Sequence, residues 1–152
     1  MEKKQVNILD LSDEILLEIF KKLRTIDVFH SLLDVNQRFN RVVIDSLYVR
    51  ELDMNSSATM HLLYTQTPSF DAGALRKICE NVLPRINDQV YKLTVDQNTM
   101  KPILYATNYP NLYSLSLIDF QEKVLHEYLT STVFHHVPLK RKKPFSYLET
   151  FN

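Results

Sequence analysis

The sequence has very little glycine and cysteine. Gly73 is its only glycine, which argues against phosphate-binding loops and tight hairpins, because both depend on glycine. Cys79 is its only cysteine, so the chain can form neither an internal disulfide nor a thiolate metal cluster. We expect Cys79 to be a buried or half-buried thiol. This cysteine usage fits a reducing compartment, the cytosol or the nucleus.

An excess of one charge and a long apolar run are also lacking. Eighteen basic and 18 acidic residues balance, so no overall field attracts nucleic acid or anionic lipid. No stretch approaches the roughly 20 apolar residues that a membrane span needs. Residues 1–5 include the charged side chains of Glu2, Lys3 and Lys4, and acids interrupt the apolar run that follows, which is not the pattern of a secretory signal. The composition is that of one globular domain or two small ones.

Three short amphipathic segments follow one another in residues 11–52. Ser12, Thr25 and Asn36 are suited to cap three helices in turn, and acids follow Ser12 in the first turn. The three segments carry more large apolar side chains than a unit of about 40 residues can bury by itself. We therefore expect part of this surface to bind another protein. The apolar positions are Ile15, Leu16, Ile19, Phe20 and Leu23, then Val28, Leu32 and Val35, then Phe39, Val42, Val43 and Leu47.

The same segment resembles the F-box, the motif that opens many substrate receptors of cullin–RING ubiquitin ligases. The likeness covers residues 8–52 and runs Leu11-Ser12-Asp13-Glu14-Ile15-Leu16-Leu17-Glu18-Ile19-Phe20, Leu23, Asp27-Val28, then Leu32-Leu33-Asp34-Val35-Asn36-Gln37-Arg38-Phe39. Three positions depart from the family pattern. Ser12 stands where proline is usual, Asn36 replaces a common cysteine and Phe39 replaces a common tryptophan.

The resemblance implies that residues 8–52 dock onto the Skp adaptor, which links F-box proteins to a cullin. Carried over by position, the residues facing the adaptor would be Leu11, Ile15, Leu16, Ile19, Phe20, Leu23, Val28, Leu32, Val35 and Phe39. A helix-turn-helix DNA reader is the rival interpretation of the segment, with Gln37, Arg38, Asn40 and Arg41 on a recognition helix. Acids spread over the unit oppose it, because phosphate contacts dominate DNA affinity.

The remainder of the chain shows alternating apolar segments at a regular spacing. They are Val49–Met54, Val90–Val95, Leu112–Leu117 and Phe134–Leu139, and the interval from Val90 to Leu112 equals that from Leu112 to Phe134. This period lies in the range of leucine-rich repeats, whose core is Leu-x-x-Leu-x-Leu-x-x-Asn. Asn98 occupies the asparagine position of one unit, and Phe120 occupies that of the next. The longer gap before Val90 has room for an irregular capping unit.

Helix-length segments connect the predicted strands. The inward positions would be Leu75, Ile78, Cys79, Val82, Leu83 and Ile86, then Ile103, Leu104 and Tyr105, then Val124, Leu125, Tyr128 and Leu129. The predicted class is α/β, with a three-helix F-box over 8–52 and a short leucine-rich-repeat-like solenoid over 53–139. A basic tail, expected to be disordered, occupies 140–152 and contains the run Lys140–Lys143. An unrelated small α/β domain is the alternative for the middle region.

No active site is predicted. His135 and His136 are adjacent, so in a strand they would point to opposite faces and chelate one ion poorly. We expect the chain to hold neither a cofactor nor a metal. We expect it to be a non-enzymatic adaptor that binds Skp and a client protein, and that reaches a cullin through Skp. A protein-interaction module acting outside any ligase is the alternative. Outward residues of the repeats would contact the client: Tyr91, Lys92, Thr94, Tyr113, Ser114 and Ser116.

Overall fold

A computed structural model describes residues 7–56 and 72–130 of the chain. For Ser46, Leu47, Tyr128 and Leu129 only the backbone is described. The predicted strand at 134–139, His135, His136 and the basic tail lie outside these residues. The described elements are a 3-10 turn at Ile8–Asp10, α1 Asp13–Phe20, α2 Thr25–Leu32, α3 Gln37–Val43, α4 Ser46–Val49, β1 Glu51–Asp53, α5 Ala72–Asn81, α6 Leu83–Ile86, β2 Lys92–Asp96, α7 Met100–Ala106, β3 Ser114–Ile118 and α8 Glu122–Thr130. The predicted α/β class is confirmed.

Two of the three predicted N-cap positions are confirmed. Ser12 has extended backbone angles immediately before α1, and Asp13 and Glu14 occupy the first turn. Their negative charges lie where the helix dipole favours them. Asn36 caps α3, since its side-chain oxygen accepts a hydrogen bond from the backbone N–H of Phe39 at 2.8 Å. The Ser12 side chain makes no such capping bond.

The predicted cap at Thr25 is wrong. Arg24 has the extended backbone of the N-cap, and Thr25 is the first residue of α2. The Arg24 guanidinium donates to both carboxylate oxygens of Asp27, at 2.6 and 2.7 Å. The pair places the Asp27 carboxylate at the amino-terminal end of α2, where the helix dipole favours negative charge. An ion pair thus occupies the start of α2, where a capping threonine hydroxyl was expected.

The three strands form a parallel sheet in the order β1-β2-β3. Glu51 pairs with Lys92, and Lys92 pairs with Ser114. Parallel neighbours need a crossover, which α5 and α6 supply for the first pair and α7 for the second. Leu93 pairs with Leu115. Paired residues of β2 and β3 are therefore separated along the chain by the same interval that separates Val90 from Leu112, the first residues of the two predicted segments.

One side of the sheet belongs to the core of the protein. In each strand segment the first, fourth and sixth positions are buried, and two outward residues separate the first from the fourth. Alternate side chains of a strand point to opposite faces, which explains the fourth and sixth positions. The buried sets are Val49, Leu52 and Met54, then Val90, Leu93 and Val95, then Leu112, Leu115 and Leu117.

The connecting helices bury most of the positions predicted to face inward. In α5 and α6 and between them, Leu75, Ile78, Val82, Leu83 and Ile86 are buried. In α7, Ile103 and Leu104 are buried but Tyr105 is 54% exposed, so the inward assignment of Tyr105 is wrong. Tyr105 follows two consecutive buried residues, and the next step of helical rotation carries it away from the core. In α8, Val124 and Leu125 are half-buried.

A single core joins the amino-terminal helices to the sheet. Helix α2 packs against α5, and α4 packs against β1. Phe20 and Phe39 meet edge to face with ring centroids 6.0 Å apart, which joins α1 to α3. Phe29 and Tyr48 meet in the same way at 6.2 Å. The boundary drawn at residue 52 from the sequence falls inside β1.

A buried carboxylate closes the end of the sheet. Asp96, at the end of β2, is 1% exposed and lies where five donors reach its oxygens. Asn98, which occupies the asparagine position of the repeat pattern, is exposed and donates to the hydroxyl of Ser56 at 3.1 Å. Among the described polar residues, Asp96 and Thr99 are the two that the core buries, at 1% and 0% exposure.

Candidate protein-docking surface

The exposed apolar side chains are concentrated at the amino-terminal end. In the described residues, eight large hydrophobic side chains are exposed, and six of them lie between residues 8 and 35. Single exposed apolar residues are common on soluble proteins, whereas a concentration of them marks an interaction surface. These six residues, here called the docking set, are Ile8, Leu9, Ile15, Ile19, Leu23 and Val35.

Helix α1 has two apolar sides. Leu16 and Phe20 are buried in the core, while Ile15 is 50% exposed and Ile19 is 37% exposed. Residues four apart lie on the same side of a helix, so Ile15 and Ile19 form one exposed row. Leu23 follows the helix and is also exposed. A helix of this length can present only one side to its own core, and the second row therefore remains on the surface.

The 3-10 turn before α1 carries two further exposed side chains, Ile8 and Leu9. Asn7 and Asp10 close this turn reciprocally. The Leu9 N–H donates to the Asn7 side chain at 3.1 Å, and the Asn7 N–H donates to the Asp10 carboxylate at 3.0 Å. Sequence reasoning placed residue 8 at the start of the motif but omitted Ile8 and Leu9 from the docking residues. The spacing Asn7-x-x-Asp10 was the available signal, since it is a capping pair.

Two arginines of α3 bind the start of α1. The Arg38 guanidinium donates to the carbonyls of Leu9 and Leu11 and, at 2.7 Å, to the carboxylate of Asp13. Arg41 donates to the other oxygen of Asp13 at 3.1 Å. The hydrogen bond from Arg38 is the main reason that the pKa of Asp13 lies below its ordinary value. No local pattern indicated this contact, because its partners lie on separate elements that are far apart along the chain.

Acidic side chains border the exposed row of α1. The pKa values of Glu14 and Glu18 both lie below the ordinary glutamate value. For Glu14 the main cause is a hydrogen bond to a backbone N–H, with a second from Ser12. For Glu18 it is the hydrogen bond from Lys21, at 2.9 Å. Both groups are therefore ionised at neutral pH and give the row a charged, solvated border.

The ten residues predicted to face the adaptor separate into three groups by exposure. Four lie in the core of the chain itself, and in this structure a partner cannot reach them: Leu16, Phe20, Val28 and Phe39. Two are half-buried, Leu11 and Leu32. The remaining four belong to the docking set: Ile15, Ile19, Leu23 and Val35. The surplus of apolar side chains is thus partly covered by the rest of the chain, chiefly where α2 packs against α5.

The outward side of the sheet is the second candidate surface. Lys92, Thr94, Ser114 and Ser116 are half-buried on this side, with Lys92 held to Glu51 of the neighbouring strand at 2.7 Å. The hydrogen bond from Lys92 to Glu51 is the main reason that the pKa of Lys92 is raised. The structure thus brings four of the six predicted client-binding residues onto one side of two adjacent strands.

A row of three side chains crosses the amino-terminal end of the sheet. Arg50 lies over the ring of Tyr91 at 4.7 Å, and Tyr91 meets Tyr113 edge to face at 6.3 Å. Tyr113 is 49% exposed, whereas Tyr91 is half-buried. Tyrosine and arginine are among the residue types most enriched at binding hot spots. The other two predicted client-binding residues, Tyr91 and Tyr113, therefore contact each other at the amino-terminal end of the sheet.

The described residues contain no group of three or more potential ligands that could hold a metal ion. Cys79 is half-buried, as expected, and burial raises its thiol pKa to about 11, which disfavours the nucleophilic thiolate at neutral pH. His30 and His126 are both exposed. Over the ranges 7–56 and 72–130, no helix combines the length and apolarity needed to cross a membrane.

No protein-family model, curated protein or solved structure matches this chain. The two surfaces and the F-box-like order of residues 8–52 are therefore the features of the chain that bear on its function.

Proposed function

We propose that this chain is a substrate-recognition adaptor of an SCF-type ubiquitin ligase, in which the amino-terminal helices dock the Skp adaptor and the outward side of the sheet binds a client protein. The observation that carries the proposal is the concentration of exposed apolar side chains on and before α1. The F-box-like order of residues in 8–52 supports the choice of Skp as the partner.

The docking set offers a partner six large apolar side chains that are at least 37% exposed. Burying one large aliphatic side chain contributes roughly 1.5–3 kcal/mol. A few buried side chains carry most of the energy of an interface, and exposed polar residues such as Glu14 and Glu18 fit the polar rim around them. Because Ile15 and Ile19 lie on a side of α1 that its own core leaves exposed, a partner could bury them without disturbing the fold.

The sheet supports the client-binding half of the proposal. We propose that the strands belong to a short leucine-rich-repeat-like solenoid. Three observations support this: the strands are parallel, they are neighbours in chain order, and the first, fourth and sixth positions of each segment are buried. Such arrays present an extended surface to protein ligands. The proposed client contacts are Tyr91, Lys92, Thr94, Tyr113, Ser114 and Ser116.

In this proposal the chain acts by proximity and supplies no catalytic group of its own. Holding a client near the enzyme that carries ubiquitin raises the effective concentration of the two reactants. The transfer itself would be performed by other subunits of the ligase. The proposed compartment is the cytosol or the nucleus, which agrees with a single, unpaired cysteine.

The docking proposal is tested by co-purification of the full chain with the Skp adaptor and a cullin. The double substitution Ile15→Asp, Ile19→Asp places two charges in the exposed row, and we expect it to weaken adaptor binding by about 100-fold or more, since each buried isoleucine contributes roughly 1.5–3 kcal/mol. Affinity is measured by calorimetry. Tyr105→Asp is the matched control, because Tyr105 is at least as exposed as Ile15 and Ile19 but lies on α7.

Each result of this experiment bears on the proposal. Recovery of both adaptor and cullin with the wild-type chain and with the control, but not with the double variant, supports it. Recovery of the adaptor without the cullin would instead favour an interaction module that acts outside a ligase. A wild-type chain that ignores the adaptor at micromolar concentration contradicts the proposal. Thermal unfolding of each variant verifies that the fold is intact, since substitutions at exposed positions change stability little.

A further inference from the structure

We infer that Arg38 is a positioning residue for adaptor binding, because it holds the exposed side chains of Ile8 and Leu9 beside α1 and so extends the docking surface beyond that helix. The inference rests on the proposed function. It adds a residue that does not itself belong to the docking set and that acts through two residues that do.

Arg38 makes three hydrogen bonds to the chain before α1 and at the start of α1. Its Nη1 donates to the Leu9 carbonyl at 2.7 Å, its Nη2 donates to the Leu11 carbonyl, and its Nε donates to Asp13 at 2.7 Å. A guanidinium is planar and carries five N–H donors in a rigid fork, which lets one side chain bind three separate acceptors. The three acceptors lie between Leu9 and Asp13, so the whole connection between turn and helix is attached to α3.

Local hydrogen bonds give the turn its shape but do not attach it to the helices. The Asp10 N–H donates to the Asn7 carbonyl at 2.9 Å, and the Asn7 N–H donates back to the Asp10 side chain at 3.0 Å. Both bonds lie within the turn. Ile8 and Leu9 are 46% and 50% exposed, so their side chains provide little packing of their own. The attachment near these two residues therefore depends on Arg38, with the half-buried Leu11 as the next contact toward α1.

A turn that is already ordered in the free chain should raise the affinity of the chain for its partner. A flexible segment must lose conformational freedom when it binds, and this loss weakens the complex. With Arg38 present, Ile8 and Leu9 are already positioned at the start of the helix that carries Ile15 and Ile19. Without Arg38 the same two side chains must be ordered by the partner, so the adaptor would bind more weakly although no direct contact is lost.

A double-mutant cycle tests whether Arg38 acts through Ile8 and Leu9. The full chain is compared with Arg38→Gln, with Ile8→Ser plus Leu9→Ser, and with the three substitutions combined, and binding to the Skp adaptor is measured by calorimetry. We expect Arg38→Gln to weaken binding about 10-fold, because the partner must then order Ile8 and Leu9 itself. In the Ile8→Ser, Leu9→Ser background the same substitution should have little further effect. Arg76→Gln is the control, because it removes an exposed ion pair with Glu80 on α5.

A second measurement needs no partner. Hydrogen exchange at the amides of Asp10 and Leu11 should be about 10-fold faster in the Arg38→Gln chain, because the local hydrogen bonds of the turn break more often once the turn is no longer attached to α3. In Arg76→Gln it should be unchanged. Arg38→Lys keeps the charge but not the fork, so it should behave like Arg38→Gln. If Arg38→Gln does not fold, Asp13→Asn gives the comparison, because it weakens the contact of Arg38 with Asp13 and leaves the bonds of Arg38 to Leu9 and Leu11 in place.

The results separate failure of this inference from failure of the proposed function. An equal loss of affinity from Arg38→Gln in both backgrounds would show that Arg38 acts elsewhere and overturn the inference, as would unchanged amide exchange in the turn. In both cases the wild-type chain would still bind the adaptor. If the wild-type chain does not bind at all, the proposed function and the docking role of Arg38 are overturned together.

Discussion

At the scale of single residues, the most informative side chain is a buried acid. Asp96 accepts from the Ser56 N–H at 2.6 Å and hydroxyl at 2.5 Å, and from the N–H groups of Asn98 and Thr99 at 2.8 and 3.0 Å. The Thr99 hydroxyl is a fifth donor, at 3.2 Å. A buried carboxylate is tolerated only when its oxygens are satisfied in this way. Because Ser56 follows β1 and Asp96 ends β2, these bonds tie two strand ends together.

We expect Asp96→Ala to lower the free energy of unfolding by about 3 kcal/mol, since it removes a charged acceptor and leaves buried donors without a partner. Asp96→Asn keeps one acceptor oxygen and should lie between the wild type and Asp96→Ala. Urea denaturation followed by circular dichroism gives the values. Asp53→Ala is the control, because Asp53 is exposed and accepts from the Asn55 N–H alone among the bonds described for it. Equal losses for Asp96→Ala and Asp53→Ala would contradict this account.

At the scale of secondary-structure elements, the amino-acid pattern predicted the structure best where local chemistry is strong. The apolar period agrees with helices α5 and α6 and with strands β2 and β3. Capping preference agrees with the cap at Asn36. The cap at Thr25 does not, because the ion pair of Arg24 with Asp27 starts α2 one residue earlier than a hydroxyl cap would. Capping preference is a local rule, and a neighbouring side chain of longer reach can override it.

The two caps of α1 and α3 should differ in their contribution to stability. Asn36→Ala removes a bonded cap, and we expect a loss of about 1 kcal/mol. Ser12→Ala removes a side chain that makes no capping bond, so its effect should be less than about 0.5 kcal/mol. Chemical denaturation of both variants under the same conditions measures the difference. A larger loss from Ser12→Ala than from Asn36→Ala would contradict the capping geometry.

At the scale of the whole molecule, the amino-terminal helices depend on the rest of the chain. Ile26, Val28 and Phe29 of α2 are buried, and α2 packs against α5, which belongs to the crossover between the first two strands. The buried residues of the described ranges form one core, which includes Leu16 of α1 and Leu117 of β3. A proposed docking module and a proposed client surface thus share one core, and the position of each relative to the other is set by packing.

We expect a fragment of residues 1–53 to remain largely unfolded when it is expressed alone. The fragment loses the cover of α2, and short isolated helices are marginal in water. Its far-ultraviolet circular dichroism should lack the helical minimum, and urea should produce no cooperative transition. The full chain under the same buffer is the comparison. A fragment that unfolds cooperatively with full helical signal would show that residues 8–52 form a module independent of the sheet.

The order of residues was sufficient to predict the α/β fold class and the N-cap positions Ser12 and Asn36. It also showed the equal spacing that the structure has as the register of β2 with β3. These features depend on periods and on contacts between near neighbours, which are visible in the order of residues. Tertiary packing selected which apolar row of α1 is buried, because both rows satisfy the helical period and the choice depends on what packs there. Packing also put Asp96 and not Asn98 into the core, and brought Arg38 back to Leu9. No local rule specifies these last contacts, since each depends on how separate elements come together in space.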